Sequence, residues 1–384
     1  MVRLATFEAY VRGRTRLWGA AGLWTGILLI GFDVYAAAVT YIPEYRVRND
    51  FRLIYGAALT GLHSGYGHLY DLSAQKASVD GLGPGFYWSP FLNPPPLAWL
   101  ATPLTILPFE VAVWVWTLLL FGALLLTWYL VAPGATRLTR VAQLALWLGL
   151  FPTAFGLLVG QPVALVAAAV AACWWLSGRN RKVWAGIALA AIAVKPQVAI
   201  LVPLCLLVSG QVRTFFAWLV VTALLAVLAV GILGPDGLAR YRDALALASQ
   251  WEPTRRYAVS GLVGLGPQLY VLQAAVLATT LGAAWRHRSR GPELPIAAGI
   301  LGSLLFTPYV GFQDFAMLVV AGWLMLRSRV SDWQLGILFA GYALLELVLV
   351  LPPVLVLITE SSLLVSILLP LNDRPGAIAA SRPA

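Results

Sequence analysis

LWGAAGLWTGILLIGFDVYAAAVTYI, residues 17–42, decides what kind of protein this is. The run can cross a hydrocarbon core of ~30 Å as a helix, and its one charged residue is Asp33. It is too long for the apolar part of a signal peptide, and no small-residue cleavage site follows it, so it is expected to stay as a first span. Arg3, Arg12, Arg14 and Arg16 precede it and place the N-terminus on the cytoplasmic side by the positive-inside rule.

The rest of the chain repeats the pattern. Of 384 residues, 60% are hydrophobic and only 11% are charged, whereas soluble domains carry about a quarter charged residues. Apolar runs recur at 109–132, 141–159, 162–177, 184–194, 197–209, 213–233, 262–285, 294–309, 312–326, 333–351 and 354–370. The reading is an all-α polytopic membrane protein, one domain over 1–384, with about twelve transmembrane or half-membrane helices. The net charge of +10 needs no nucleic-acid partner. Arg137, Arg140, Arg179, Arg181, Lys182, Arg213, Arg286, Arg288, Arg290, Arg327 and Arg329 fall in short turns on one side, the expected cytoplasmic face. Arg374 and Arg382 put the C-terminus there too. Cys173 and Cys205 lie inside apolar runs, which points to neither a disulfide framework nor a cysteine metal site.

The sequence "VKPQ" at 194–197 sets the topology. Read as one span, 184–209 would hold a lysine and a proline at mid-membrane and would invert every later loop, moving "RHRSR" outside. A hairpin that bends at the outer face avoids both costs. The extracytoplasmic side then receives a long first loop at 43–108 with interfacial helices, "GQP" at 160–162, "KPQ" at 195–197, a loop at 234–261 and "TPYVGFQDF" at 307–315. Long loops of this kind are usually functional. Chemistry is therefore expected outside.

Among the polar residues, Asp50 lies just after the first span between Arg46, Arg48 and Arg52. Such a carboxylate can serve as general base toward a hydroxyl, and such arginines can hold a phosphate; the group can equally be a solvated ion-pair cluster. Lys195 is a second phosphate candidate or a snorkelling lysine. Arg255 and Arg256 in "WEPTRRY" are phosphate-binding candidates or surface charges. Asp314 either positions a hydroxyl or caps a helix. Asp33 and Glu346 are intramembrane acids, Asp33 functional or paired with a neighbouring helix, Glu346 read as structural. His63 and His68 near Asp71 are spaced wrongly to share a helical face, so no metal is expected. No Walker loop, dinucleotide fingerprint, Asp-x-Asp pair, zinc motif or nucleophile elbow occurs, and no cofactor is expected. An activated substrate would have to arrive through the lipid.

Four stretches in order resemble glycosyltransferase family 87, of the membrane-embedded C superfamily (GT-C) of glycosyltransferases. They are "NDFRLIYGAALTGLHSGYGHLYD" (49–71), "FLNPPPLAWLATPLTILPFEVAVWVW" (91–116), the Gly-Gln, Ala-Gly and Lys-Pro-Gln run of 160–207, and "TPYVGFQDFAML" (307–318). The resemblance covers roughly residues 40–325 and implies a GT-C-like fold in the inner, cytoplasmic membrane of a bacterium. It implies an inverting glycosyltransferase that takes mannose or another hexose or pentose from a polyprenyl-phosphate sugar. The partners implied are that donor, a lipid or glycan acceptor, and membrane lipids. Asp50 would be the catalytic carboxylate and Lys195 the partner of the lipid phosphate, helped by Arg255 and Arg256. Tyr55, His68, Gln161 and Asp314 would contact substrate with the three arginines around Asp50. Aromatics in "GFYWSP" and Trp251 are candidates for stacking on sugar or for an interfacial belt. Many relatives have Gly-Gln-Asn where this chain has Gly160-Gln161-Pro162. The competing class is a secondary transporter or lipid flippase, which would place polar groups such as Asp33 and Glu346 in broken helices at the midplane.

Overall fold

The computed structural model describes residues 15–250, 252–328 and 330–369. Arg3, Glu8, Arg12, Arg14, Trp251, Arg329, Asp373, Arg374 and Arg382 lie outside them. Among the described residues all regular structure is helical. By length and composition, four helices can cross a membrane, or five if one bent pair counts as a span.

α1 (Thr15–Ala36) runs on through a π-helical turn, Ala37–Tyr41. It packs against α6 (Arg137–Leu148) through glycines at helical spacing: Gly19 faces Leu138, Gly22 faces Ala142, and Gly26 meets the Ala145 backbone. Small residues let two helices approach closely where lipid gives no hydrophobic drive. The outward faces of α1 stay apolar, with Trp24, Leu28 and Phe32 exposed, as suits lipid rather than water.

The first-loop region holds α2 (Phe51–Ser64), α3 (Leu72–Asp80) and α4 (Pro95–Ala101). Asp71 caps α3 by accepting from the Ser73 and Ala74 amides. "LAWLATPLTIL" becomes the end of α4 and a 3₁₀ turn, Thr102–Ile106. α5 (Phe109–Val131) starts at Pro108 and matches the expected run within a residue.

The run 141–159, read as a single helix, is broken. α6 ends at Leu148, and α7 (Phe151–Leu158) leaves at 62°. Gly149 presses against α1 at the bend, and Pro152 sits in the first turn of α7. α8 (Val163–Gly178) is largely buried.

α9 (Lys182–Leu189) continues as a 3₁₀ turn to Val194, and α10 (Val202–Val208) follows another short turn. Gly186 near the start of α9 faces Thr214 and Ala217, only a few residues beyond the end of α10. The chain therefore comes back to α9 soon after α10 ends.

α11 (Val212–Ser249) corrects the expected loop at 234–261, because the chain remains helical to Ser249. It is kinked at Gly234 (φ +64°), a conformation glycine adopts freely, and Pro235 restarts the helix where its missing amide costs least. α12 (Pro267–Arg286), α13 (Glu293–Phe306), α14 (Ala316–Arg327), α15 (Asp332–Glu346) and α16 (Val354–Leu368) complete the order. α13 is buried on every side from Leu294 to Leu305 and forms the centre of the bundle. Cys173 and Cys205 are buried and unbonded to each other.

Candidate active site

Asp50 occupies the N-cap of α2, yet its side chain makes no cap bond. The neighbour does the capping: Asn49 Oδ1 accepts from the Phe51 amide at 2.9 Å. Asn49 also reaches across to α7, donating from Nδ2 to the Leu158 carbonyl at 3.1 Å, while the Asp50 amide donates to the Val159 carbonyl at 2.7 Å. Gly160 continues this seam. Its φ of +77° belongs to glycine, and a Cβ there would meet Phe51. The Trp116 indole on α5 donates to the Gly160 carbonyl at 2.8 Å. The Asp50 carboxylate is thereby freed from the helix end and fixed beside Gln161.

From Asp50 a row of polar side chains leads inward. Gln161 Nε2 donates to Asp50 Oδ2 at 2.7 Å, and Gln161 Oε1 accepts from Lys195 Nζ at 2.8 Å. Lys195 forms an ion pair with Asp314, whose other oxygen accepts from the Gly311 amide at 3.2 Å. Because Lys195 can only donate, the Gln161 amide has one possible orientation: oxygen toward lysine, nitrogen toward aspartate. Exposure falls along the row. The Asp50 side chain is 37% exposed, while Lys195 and Asp314 are at 4% and 3%. Asp50 is the mouth of the network and Asp314 its floor.

Arg52 lies on the other side of Asp50, with Nη1 3.6 Å from Oδ1. It is buried and held by the Asn49 and Tyr87 carbonyls, each at 2.5 Å. Arg46 donates to the Pro84 carbonyl at 2.9 Å and lies over the Phe86 ring. Arg48 is paired with Glu44 at 2.5 Å and lies over Tyr41. The arginine cluster therefore divides, with only Arg52 turned to the carboxylate.

The other expected site residues lie elsewhere. Tyr55 is buried in the aromatic core with Phe51 and Phe109, and its hydroxyl donates to the Leu107 carbonyl at 2.7 Å. His68 stands beyond the far end of α2, against Arg240. Arg255 and Arg256 follow one another where the short helix Glu252–Arg255 ends, Arg256 exposed. Pro162 is the N-cap of α8. Glu346, read as structural, accepts from the Phe151 amide at 3.3 Å at the bend between α6 and α7.

Asn49 and Trp116 hold the site and were not singled out in the sequence. The signal for Asn49 was its place just before an acid that opens an amphipathic helix, a natural cap. Trp116 carried no such signal, since its partner is a main-chain carbonyl far along the chain. The arrangement offers a partly exposed carboxylate beside a buried guanidinium, with one oxygen tied to a rigid donor. That is a geometry for accepting one proton at a defined point.

A family model for glycosyltransferase family 87 matches residues 91–308. No curated protein and no solved structure matches the chain. The matched region holds Gln161 and Lys195, and Asp50 and Asp314 flank it at the two ends of the polar row. With its bundle of apolar helices and a match over more than half its length, this membrane protein belongs to glycosyltransferase family 87.

Proposed function

We propose that the chain is an inverting glycosyltransferase using a polyprenyl-phosphate sugar, with Asp50 as general base. The observation that carries the reading is the carboxylate of Asp50, released from capping by Asn49 and aimed by Gln161. The acceptor hydroxyl gives its proton to Asp50 Oδ1, the oxygen not bonded to Gln161. Its oxygen bonds to the anomeric carbon, and the bond from that carbon to the lipid phosphate breaks. The leaving phosphate takes the electron pair, and nearby cations stabilise the charge. In this reading Arg48 and Arg46, held by Glu44 and the Pro84 carbonyl without substrate, exchange those contacts for the phosphate. Lys195, closed between Asp314 and Gln161, acts instead from behind.

In this reading 1–384 forms one membrane-embedded domain of about twelve full or half spans in the cytoplasmic membrane. Both termini are cytoplasmic, and the first loop, 43–108, faces outward. The sugar is mannose or another hexose or pentose, and the acceptor an extracytoplasmic lipid or glycan.

The test uses protein in lipid nanodiscs with radiolabelled polyprenyl-phosphate mannose, arabinose or glucose and a membrane-lipid extract as acceptor. Label moving from one donor into a new product, and lost in Asp50→Asn, is the expected result. Transfer that persists in Asp50→Asn overturns the assignment of the base.

A further inference from the structure

A second polar site lies at the opposite end of α2. Fourteen residues of helix separate it from Asp50, about 21 Å at 1.5 Å per residue. There a cavity of about 320 Å³ is lined by Tyr70, Asp71, Ser73, Arg240, Asp243 and their neighbours. α11 reaches it beyond the kink at Gly234, where Gly237 packs on the Gly67 carbonyl. Tyr241 then stacks on Tyr70 with ring centres 4.2 Å apart.

The charges in the cavity are matched. Arg240 Nη1 donates to His68 Nδ1 at 3.1 Å, and its Nε lies 3.9 Å from Asp71 Oδ2. Asp243 accepts from Arg242 at 3.2 Å. Each guanidinium already has a carboxylate, so neither an anion nor a cation gains a net opposite charge here. What remains at the rim is a set of donors and acceptors from Asp71, Ser73, Arg240 and Asp243, over a largely buried stack of Tyr70 and Tyr241, and a neutral polyhydroxylated ligand can exchange hydrogen bonds with that rim.

One segment of chain joins this cavity to Asp50. The Pro84 and Tyr87 carbonyls are held by Arg46 and Arg52 at the Asp50 end. A few residues on, the Phe91 amide donates to Gln75, and the Asn93 carbonyl accepts from the Tyr70 hydroxyl at 2.7 Å. The segment is pinned at both ends, and at the end nearer Asp50 Tyr87 is 63% exposed.

We infer that the cavity of Tyr70, Asp71 and Arg240 is a distal subsite for a neutral oligosaccharide, the far end of an acceptor chain whose near end reaches Asp50. The acceptor is then a glycan of several units, and length is part of what the protein recognises. The inference rests on the transferase reading for its role, but its test needs no turnover.

The probes are neutral manno-, gluco-, galacto- and arabino-oligosaccharides of graded length. Binding to the full chain in nanodiscs is followed by saturation-transfer NMR and calorimetry. One class is expected to bind, more tightly with length. Arg240→Gln should weaken it at least tenfold, and Asp243→Asn severalfold. Lys76→Ala, on the exposed side of α3, should bind as wild type. Asp243 is exposed and Arg240 partly so, and thermal unfolding checks that both variants fold. No binding by any class, or binding indifferent to Arg240→Gln and Asp243→Asn, overturns the subsite. So does binding of inorganic phosphate or anionic lipid headgroups that depends on Arg240. Transfer that survives Asp50→Asn would overturn the base alone and leave this binding result standing.

Discussion

Lys195 and Asp314 are paired with both side chains all but sealed from the surface, and the only other side-chain partner of the lysine among the described hydrogen bonds is Gln161. Removing one member strands a buried charge. Lys195→Met or Asp314→Leu alone should each destabilise the protein by about 3–5 kcal/mol, and the double replacement should recover most of that. Thermal unfolding of the three variants in the same nanodiscs checks the expectation. Equal losses in the single and double variants would show that the pair is not what holds this region.

Gln161 converts that buried pair into a fixed position for Asp50. Gln161→Leu keeps the volume and loses both hydrogen bonds. Its kcat should fall about ten- to a hundredfold, less than the loss of about 10²–10⁴ expected for Asp50→Asn. KM should change little, because both polar atoms of the amide are already engaged by Asp50 and Lys195. A rise in KM at constant kcat would instead make Gln161 a substrate contact.

Gly160 is constrained twice, by its positive φ and by Phe51. Gly160→Ala should cost about 1–3 kcal/mol and should lower activity by shifting Gln161, its neighbour. Circular dichroism melts and the transfer assay read the two effects. A variant as stable and active as wild type would mean that the seam relaxes freely.

The cap of α3 gives a pH dependence. The Ser73 hydroxyl, with the Ala74 and Ser73 amides, holds the Asp71 carboxyl below the ordinary aspartate range. A carboxyl lowered in the folded state stabilises fully above its unfolded value of about 3.9, and that stability fades as pH falls through the folded value. Asp71→Ala should therefore cost about 1 kcal/mol near neutrality, and the gap to wild type should close in acid. Melting curves of both proteins from pH 7 down to pH 3 measure it.

Much of the helix order was legible because apolar length is a local property. Phe109–Val131 and Val163–Gly178 match their hydropathy runs closely. "VKPQ" announced its own break, since a proline and a charge cannot continue an apolar helix cheaply. The bend at Gly149 was hidden because its cause is α1 lying across it. The continuation of α11 past Gly234 was hidden because a Gly-Pro pair reads as a stop, and here it is a kink. Within the site, Asp50 stood out by its surroundings in the chain. The partners of Lys195 did not, for nothing local links it to Asp314 or Gln161. Arg46 and Arg48 sit close to Asp50 in sequence, but one turn of backbone sends them to Phe86 and Glu44.

The row from Asp50 to Asp314 draws one residue from each of four stretches spread over most of the chain. No half of the protein owns the site. A ribosome has to finish α13 and the turn before α14 before Lys195 can meet its acid, so the polar row is completed late in synthesis. Fragments cut between α8 and α13 would have to find each other inside the membrane to restore it. The same arrangement ties activity to assembly: a chain that has inserted its helices but not closed them around α13 carries every residue of the site and no site.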